Sequence, residues 1–206
     1  MKNKEETKKR LINAVGEILK NEGYSALGVN NIARKSGVNK GLIYRYFGKL
    51  DYLVETYVVE NDYWLEFFKQ TNQLVQESQP ESLQLLISQI LQNQYKFFLS
   101  EPDMQRLIHW ELSGESPLMT SIHNARETNG QKILEMTDDH FKNQKVNFRA
   151  IAALLVGGIY YTILNSRFNG GMFCDIDVNS TYGQNEILKA IEQTVGWAFE
   201  KSSAGK

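Results

Sequence analysis

Between residues 29 and 50 the chain reads VNNIARKSGVNKGLIYRYFGKL, with Ala33 and Gly37 four residues apart, five basic side chains and no acidic one. Two helices that cross steeply over a three- or four-residue turn need a small residue at the crossing and a glycine to reverse the chain. Ala33 and Gly37 meet both demands. The pattern predicts a helix over residues 29–36 that presents Val29, Ile32 and Ala33 inward, a stop at Gly37, and a short helix over 39–46 opened by Asn39, a favoured N-cap residue. Leu42, Ile43 and Phe47 are its apolar contacts. A preceding helix over 7–19 carries Leu11, Ala14, Val15, Ile18 and Leu19 at three- and four-residue spacings and stops near Gly23.

Charge divides the chain at the same place. Through Leu50 there are 11 Lys and Arg against 4 Asp and Glu, and beyond it 12 against 20, so a basic module precedes an acidic one. Basic side chains displace the counterions condensed on phosphates, which is the electrostatic footprint of polyanion binding. A basic surface also serves simply to keep a small domain soluble, so charge by itself leaves the partner open. The helix-turn-helix pattern supplies what charge lacks, because the second helix of such motifs enters the major groove. The candidate DNA-facing residues are Asn39, Lys40, Gly41, Leu42, Tyr44, Arg45, Tyr46 and Lys49. Asn39, Lys40, Tyr44 and Arg45 offer donors to phosphates and base edges, Gly41 allows close approach of the backbone, and Tyr46 and Lys49 reach phosphates. Core packing is the alternative role for Tyr44 and Tyr46.

Residues 7–53 resemble the N-terminal DNA-binding domain of the TetR family of bacterial transcriptional regulators, through Ile32-Ala33, Gly37-Val38, Tyr44 and Tyr46-Phe47. The resemblance implies a third helix that reads DNA, a homodimer, and a C-terminal helical domain that binds a small molecule and so releases the operator. Two positions depart from the family's pattern. Gly28 stands where a Ser or Thr commonly caps the second helix and touches a phosphate, and Leu50 stands where a Lys is common, with Lys49 one residue earlier.

The remainder reads as helices over 53–74, 78–99, from Pro102, 116–141, 148–168 and 185–200, with prolines as start signals and a long loop over 169–183. No alternating strand pattern is visible. The expected architecture is all-α, with a helix-turn-helix domain over 1–50 and a ligand-binding and dimerisation domain over 51–206.

Aromatic residues at helical spacing in this part are core residues or the lining of an apolar pocket. Trp64, Phe68, Tyr95, Phe98, Trp110 and Tyr160 are the candidate ligand-binding set, for an apolar or aromatic effector, with 53–74 as the lever to the DNA-binding domain. Gly157-Gly158 costs about 1 kcal/mol per glycine in a helix interior, which close approach of another helix offsets. With the stripe Ile187, Ile191, Thr194 and Ala198 it forms the candidate dimer interface; the alternative is burial within the same chain.

No cofactor or metal site is expected, since Asp138-Asp139-His140 is better read as a solvated helix end and no nucleophile constellation appears. Cys174 is read as a small apolar residue. The N-terminal segment lacks a signal-peptide pattern, and the most apolar run, 150–164, is shorter than the roughly 20 residues of a spanning helix, so the expected location is the cytoplasm. The partners that follow are an operator duplex, a small-molecule effector and a second copy of the chain, with no membrane. A helical adaptor that keeps the fold without operator binding is the competing reading.

Overall fold

The computed structural model describes residues 2–60, 63–77, 83–113, 117–142 and 144–203. In chain order the elements are α1 (Lys2–Asn21), a 3-10 turn (Tyr24–Ala26), α2 (Val29–Ser36), α3 (Gly41–Phe47), α4 (Leu50–Glu60), α5 (Tyr63–Glu77), α6 (Leu83–Ser100), α7 (Pro102–Ser113), α8 (Pro117–Phe141) and α9 (Phe148–Asn169). A hairpin of β1 (Met172–Phe173) and β2 (Ile176–Asp177) and then α10 (Thr181–Ser203) complete the chain. The fold is all-α apart from that hairpin. Its helices group into two compact units, Met1–Tyr63 with Arg106–Ile122, and Trp64–Gln105 with His123–Lys206.

In the first unit α1 is the central element, and the five residues picked out by spacing are all buried: Leu11, Ala14, Val15, Ile18 and Leu19. Ile32 of α2, Ile43 of α3 and Leu53, Val54 and Val58 of α4 close over them in one cluster. Each fully buried Ile or Leu contributes about 1.5–3 kcal/mol, so this cluster holds the small unit together. Gly16 lets α4 approach α1, because a Cβ there would sit 2.6 Å from the Tyr57 ring. Trp110 of α7 joins the same core and stacks on Tyr24 with ring centroids 3.9 Å apart.

In the second unit α6 packs against both α9 and α10. Gln92 donates to the Leu188 carbonyl of α10 at 3.0 Å, and Gln94 donates to Tyr160 Oη of α9 at 2.9 Å. Gln105 is buried and satisfied on both sides: its Nε2 donates to the Phe98 carbonyl at 2.7 Å, and its Oε1 accepts from Arg167 Nη1 at 3.0 Å. At the far end Phe141, Phe148 and Phe199 cluster with His140, whose Nε2 lies 2.8 Å from Ser202 Oγ. Asp138 accepts two bonds from Arg149, at 3.0 and 2.7 Å, which hold its carboxyl below the usual carboxylate range. The His140 and Asp138 side chains are thus engaged in the packing of helix ends.

Several expected boundaries move. α1 begins at Lys2 rather than residue 7, aided by a Glu5–Lys8 pair at 3.5 Å on one face. Residues 61 and 62, at which the expected helix over 53–74 would continue, lie outside the described residues, as do Ser78, Gln79 and Pro80. α9 runs for 22 residues, so the apolar run of 150–164 is the middle of a helix long and apolar enough by composition to cross a bilayer. One of its faces is occupied by the core of the second unit, through Phe148, Ala152, Ile159, Ile163 and Leu164.

The loop expected over 169–183 contains the hairpin, which corrects the reading of no strands. Cys174 and Asp175 form its two-residue turn with φ of 51° and 58°, the positive φ that a type I′ hairpin turn requires at both central positions. Strands of two residues carry no alternation to detect, and Cys-Asp is not a residue pair that announces such a turn. Cys174 is therefore exposed at the turn instead of filling an apolar site. The last helix starts at Thr181 and not at 185, because Ser180 accepts from the Gly183 N–H at 3.0 Å and caps it.

Gly183 fixes how closely α10 sits on the hairpin. A Cβ there would collide with the Asp177 carbonyl, whose carbon is 2.7 Å away, and backbone atoms cannot yield as a side chain does. Gly183→Ala is expected to lower stability by about 1–3 kcal/mol, read from urea unfolding, whereas an unchanged midpoint would contradict the close contact.

Candidate nucleic-acid interface

The turn between α2 and α3 is built from three local devices. Gly37 takes the left-handed conformation at φ 63° and ends α2, and the Val38 N–H bonds back to the Ala33 carbonyl at 3.2 Å. Asn39 Oδ1 accepts from the Gly41 N–H at 2.8 Å, and the Asn39 carbonyl accepts from the Leu42 N–H at 2.9 Å, so Asn39 opens α3 two residues ahead of its first helical residue. Arg10 of α1 reaches across to donate to the Ser36 carbonyl at 2.6 Å and the Gly37 carbonyl at 3.3 Å. The guanidinium thus satisfies acceptors at the end of α2, where a cation also complements the helix dipole.

α3 has an inner and an outer side. Ile43 is fully buried, and Leu42, Tyr46 and Phe47 are half-buried against the same core. Asn39, Lys40, Gly41, Tyr44, Arg45 and Lys49 are exposed, with Tyr44 at 54%. The candidate set is therefore divided: six residues face outward, while Leu42 and Tyr46 turn largely inward. Tyr46 also lies under Lys4, whose Nζ is 5.7 Å from the ring centroid. Leu50, at the position where the family's pattern has Lys, packs on the core at the start of α4, and the exposed cation beside it is Lys49. Gly28 precedes α2 in an extended conformation and makes no side-chain cap.

Arg10 and the Glu22 network were not legible in the spacing. Glu22, at the end of α1, accepts from Asn31 at 2.9 Å and from Lys35 at 2.9 Å, and these bonds, Asn31 first, hold its carboxyl below the usual range. Lys35 is thereby committed to fixing α2 on α1. Its long separation from Glu22 in sequence gave no signal, although Glu22 is one of only four acids in the basic module.

The residues proposed for an effector divide between the two units. Phe68, Tyr95, Phe98 and Tyr160 belong to the second, where Phe98 meets Tyr160 edge-on at 4.8 Å and Phe67 lies 5.7 Å from Phe97. Trp110 does not join them: it is 4% exposed in the core of the first unit, because its face of α7 stacks on Tyr24. The Trp64 side chain lies outside the described residues. Of the residues offered for a dimer interface, Gly157 and Gly158 are exposed, with nothing near a Cβ added at either. Ile191 and Ala198 are instead 3% and 4% exposed, buried on the side of α10 that belongs to the chain's own core, and Ile187 and Thr194 are half-buried.

Replacing Lys40 or Arg45 by Ala is expected to weaken binding to a specific duplex by about 1–3 kcal/mol while leaving the melting temperature unchanged, since both side chains are solvent-exposed. Anisotropy titration measures it, and unchanged affinity in both variants would remove α3 from the interface.

Comparison with known proteins agrees with this geometry. Residues 11–56 match the family model for bacterial regulatory proteins of the tetR family. No curated protein sequence matches the chain. Among solved structures, the regulator FadR from Bacillus subtilis in complex with stearoyl-CoA aligns with a TM-score of 0.63 and 16% identity over 90% of this chain and 97% of its own. The fatty acid degradation regulator FadR from Bacillus halodurans aligns with a TM-score of 0.62 and 16% identity over 91% and 96%. A TetR family transcription regulator from Marinobacter aquaeolei VT8 gives 0.56 and 15% identity over 98% of both chains. At these identities the likeness is one of fold. Taken with the packed α2–turn–α3 unit, the match over residues 11–56 shows an N-terminal helix-turn-helix domain similar to that of the bacterial regulatory proteins of the tetR family.

Proposed function

We propose that the chain is a homodimeric transcriptional repressor that reads a palindromic operator with residues 1–50 and is released from it by a small apolar effector bound within residues 51–206. The observation that carries the reading is the outer side of α3, where Lys40, Tyr44 and Arg45 stand exposed over a helix whose other side is anchored by Ile43. Phosphate contacts position such a helix and base-edge contacts give it sequence preference. Selection from a random duplex pool tests this: the expected product is one palindromic motif bound with steep salt dependence, and equal binding to all sequences would reject operator recognition.

The second copy is supported by a surface on α9. Leu154 is 78% exposed and Tyr161 58% exposed, and the two flank the Gly157-Gly158 pair at helical spacing. Trp197 of α10 is 60% exposed. Large apolar side chains beside two glycines suit close approach of a second helix, so the interface we propose uses Leu154, Gly157, Gly158, Tyr161 and Trp197 in place of Ile191 and Ala198. With a two-fold axis, the two α3 helices would read half-sites about 34–36 Å apart, one turn of B-DNA. Leu154→Asp is expected to convert the dimer to a folded monomer in light scattering at micromolar concentration and to weaken operator binding with it. A dimer unchanged by both Leu154→Asp and Trp197→Glu would exclude this surface.

For the effector, the aromatic interior of the second unit favours an apolar molecule, and the Bacillus subtilis neighbour holds stearoyl-CoA. Control requires that the effector bind more tightly to a dimer whose reading heads do not fit the groove, since equal affinity for both forms would shift nothing.

A further inference from the structure

Among the described residues, one side-chain polar atom is buried without a hydrogen-bond partner, the Tyr95 hydroxyl. The residue is 1% exposed, and burial pushes the phenol up to about 12, so it remains a neutral O–H donor at physiological pH. An unpaired buried hydroxyl forfeits its bond to water, which is why native structures hold few of them and why each asks for an occupant.

The position of Tyr95 on α6 says where that occupant sits. At 100° per residue, Tyr95 falls between the side carrying Gln94 and Phe98, which meet Tyr160 of α9, and the side carrying Gln92, which meets Leu188 of α10. Helical spacing thus places Tyr95 on the side of α6 that lies between its contacts with α9 and with α10, helices of one unit. The amides nearby on α6 are already engaged, Gln94 with Tyr160 and Gln92 with Leu188. The interior of these helices is apolar, with Phe98, Ile163 and Val195 fully buried. A single neutral donor among apolar walls selects a molecule with one acceptor oxygen on an otherwise apolar body. A charged or polyhydroxylated group carried into this seam would bring more polar atoms than its one unpaired donor among the described residues could satisfy.

We propose that Tyr95 is the polar anchor of the effector site, its hydroxyl donating to the carbonyl oxygen of a long-chain acyl ligand, a thioester or a neutral carboxylic acid, whose chain lies along the seam. The proposal rests on the effector-controlled reading above and adds to it an atom and a ligand class. A free fatty acid and an acyl thioester both present the required oxygen, and which of the two binds is read from separate titrations.

Three measurements on the full-length protein and on Tyr95→Phe test the anchor. Without ligand, the variant is expected to melt at the wild-type temperature or above it, because the hydroxyl it loses had no partner; a fall of several degrees would show the hydroxyl already satisfied and overturn the proposal. In calorimetric titration with stearate and with stearoyl-CoA, at least one is expected to bind the wild type and to bind Tyr95→Phe about tenfold more weakly. Equal affinity, or binding of neither to the wild type, would overturn it. Release from the selected duplex separates the two claims. A probe that binds wild type more tightly than the variant but leaves the DNA complex intact would keep the anchor and remove the effector-controlled reading. A probe that releases both proteins at the same concentration would do the reverse.

Discussion

The burial of Ile32 and Ile43 against Leu11, Val15 and Ile18 is the contact on which the rest depends. Two helices of eight and seven residues are too short to be stable alone, since the cost of nucleating a helix is recovered only over many more residues or through tertiary contact. Their apolar side chains, inserted into α1, supply that contact. Once Ile43 is fixed inward, with Leu42 and Tyr46 half-buried beside it, the 3.6-residue period turns Arg45 outward and Tyr44 to the flank, while Lys40 stays exposed at the N-cap, ahead of the first helical residue. The outward presentation of donors is thus a consequence of core packing and needs no separate device.

Orientation within that packed unit is set by polar bonds. Arg10 holds the end of α2, Glu22 holds its flank through Asn31 and Lys35, and Gly37 supplies the one backbone conformation that reverses the chain in so short a space. The individual bonds are exposed or half-exposed and modest in energy. Their value is directional, because an error in the angle of α3 would be carried to every side chain on its outer side. In the second unit the same division of labour recurs: apolar residues of α6 give burial, and Gln92, Gln94 and Gln105 fix its register against α9, α10 and α7.

What could be read from sequence follows from the range of each interaction. α2 was legible to the residue, because Ile32, Ala33 and Gly37 state period, crossing and stop within eight positions. The inward set of α1 and the limits of α8 were legible for the same reason. Leu42 was legible as an apolar contact even though it was also offered as DNA-facing, whereas Tyr46 was left between two roles, since a seven-residue helix has too few turns for its period to fix which borderline side chain faces the core. Trp110 was placed with the wrong partners because its stack on Tyr24 joins residues 86 apart, a separation on which local pattern is silent. The stripe on α10 was real but reversed in meaning: Ile191 and Ala198 mark the side turned to the chain's own core, and periodicity identifies an apolar side without naming what covers it.

On the function proposed above, packing against α1 turns the outer side of α3 toward DNA. Amide and side-chain NMR shifts of the labelled protein, recorded as a selected duplex is added, test it most directly. The expected result is a contiguous set of perturbations at Asn39, Lys40, Tyr44, Arg45 and Lys49, with the Ile32 and Ile43 methyl groups little changed. Perturbations centred away from α3, with those five residues unmoved at saturating DNA, would contradict it.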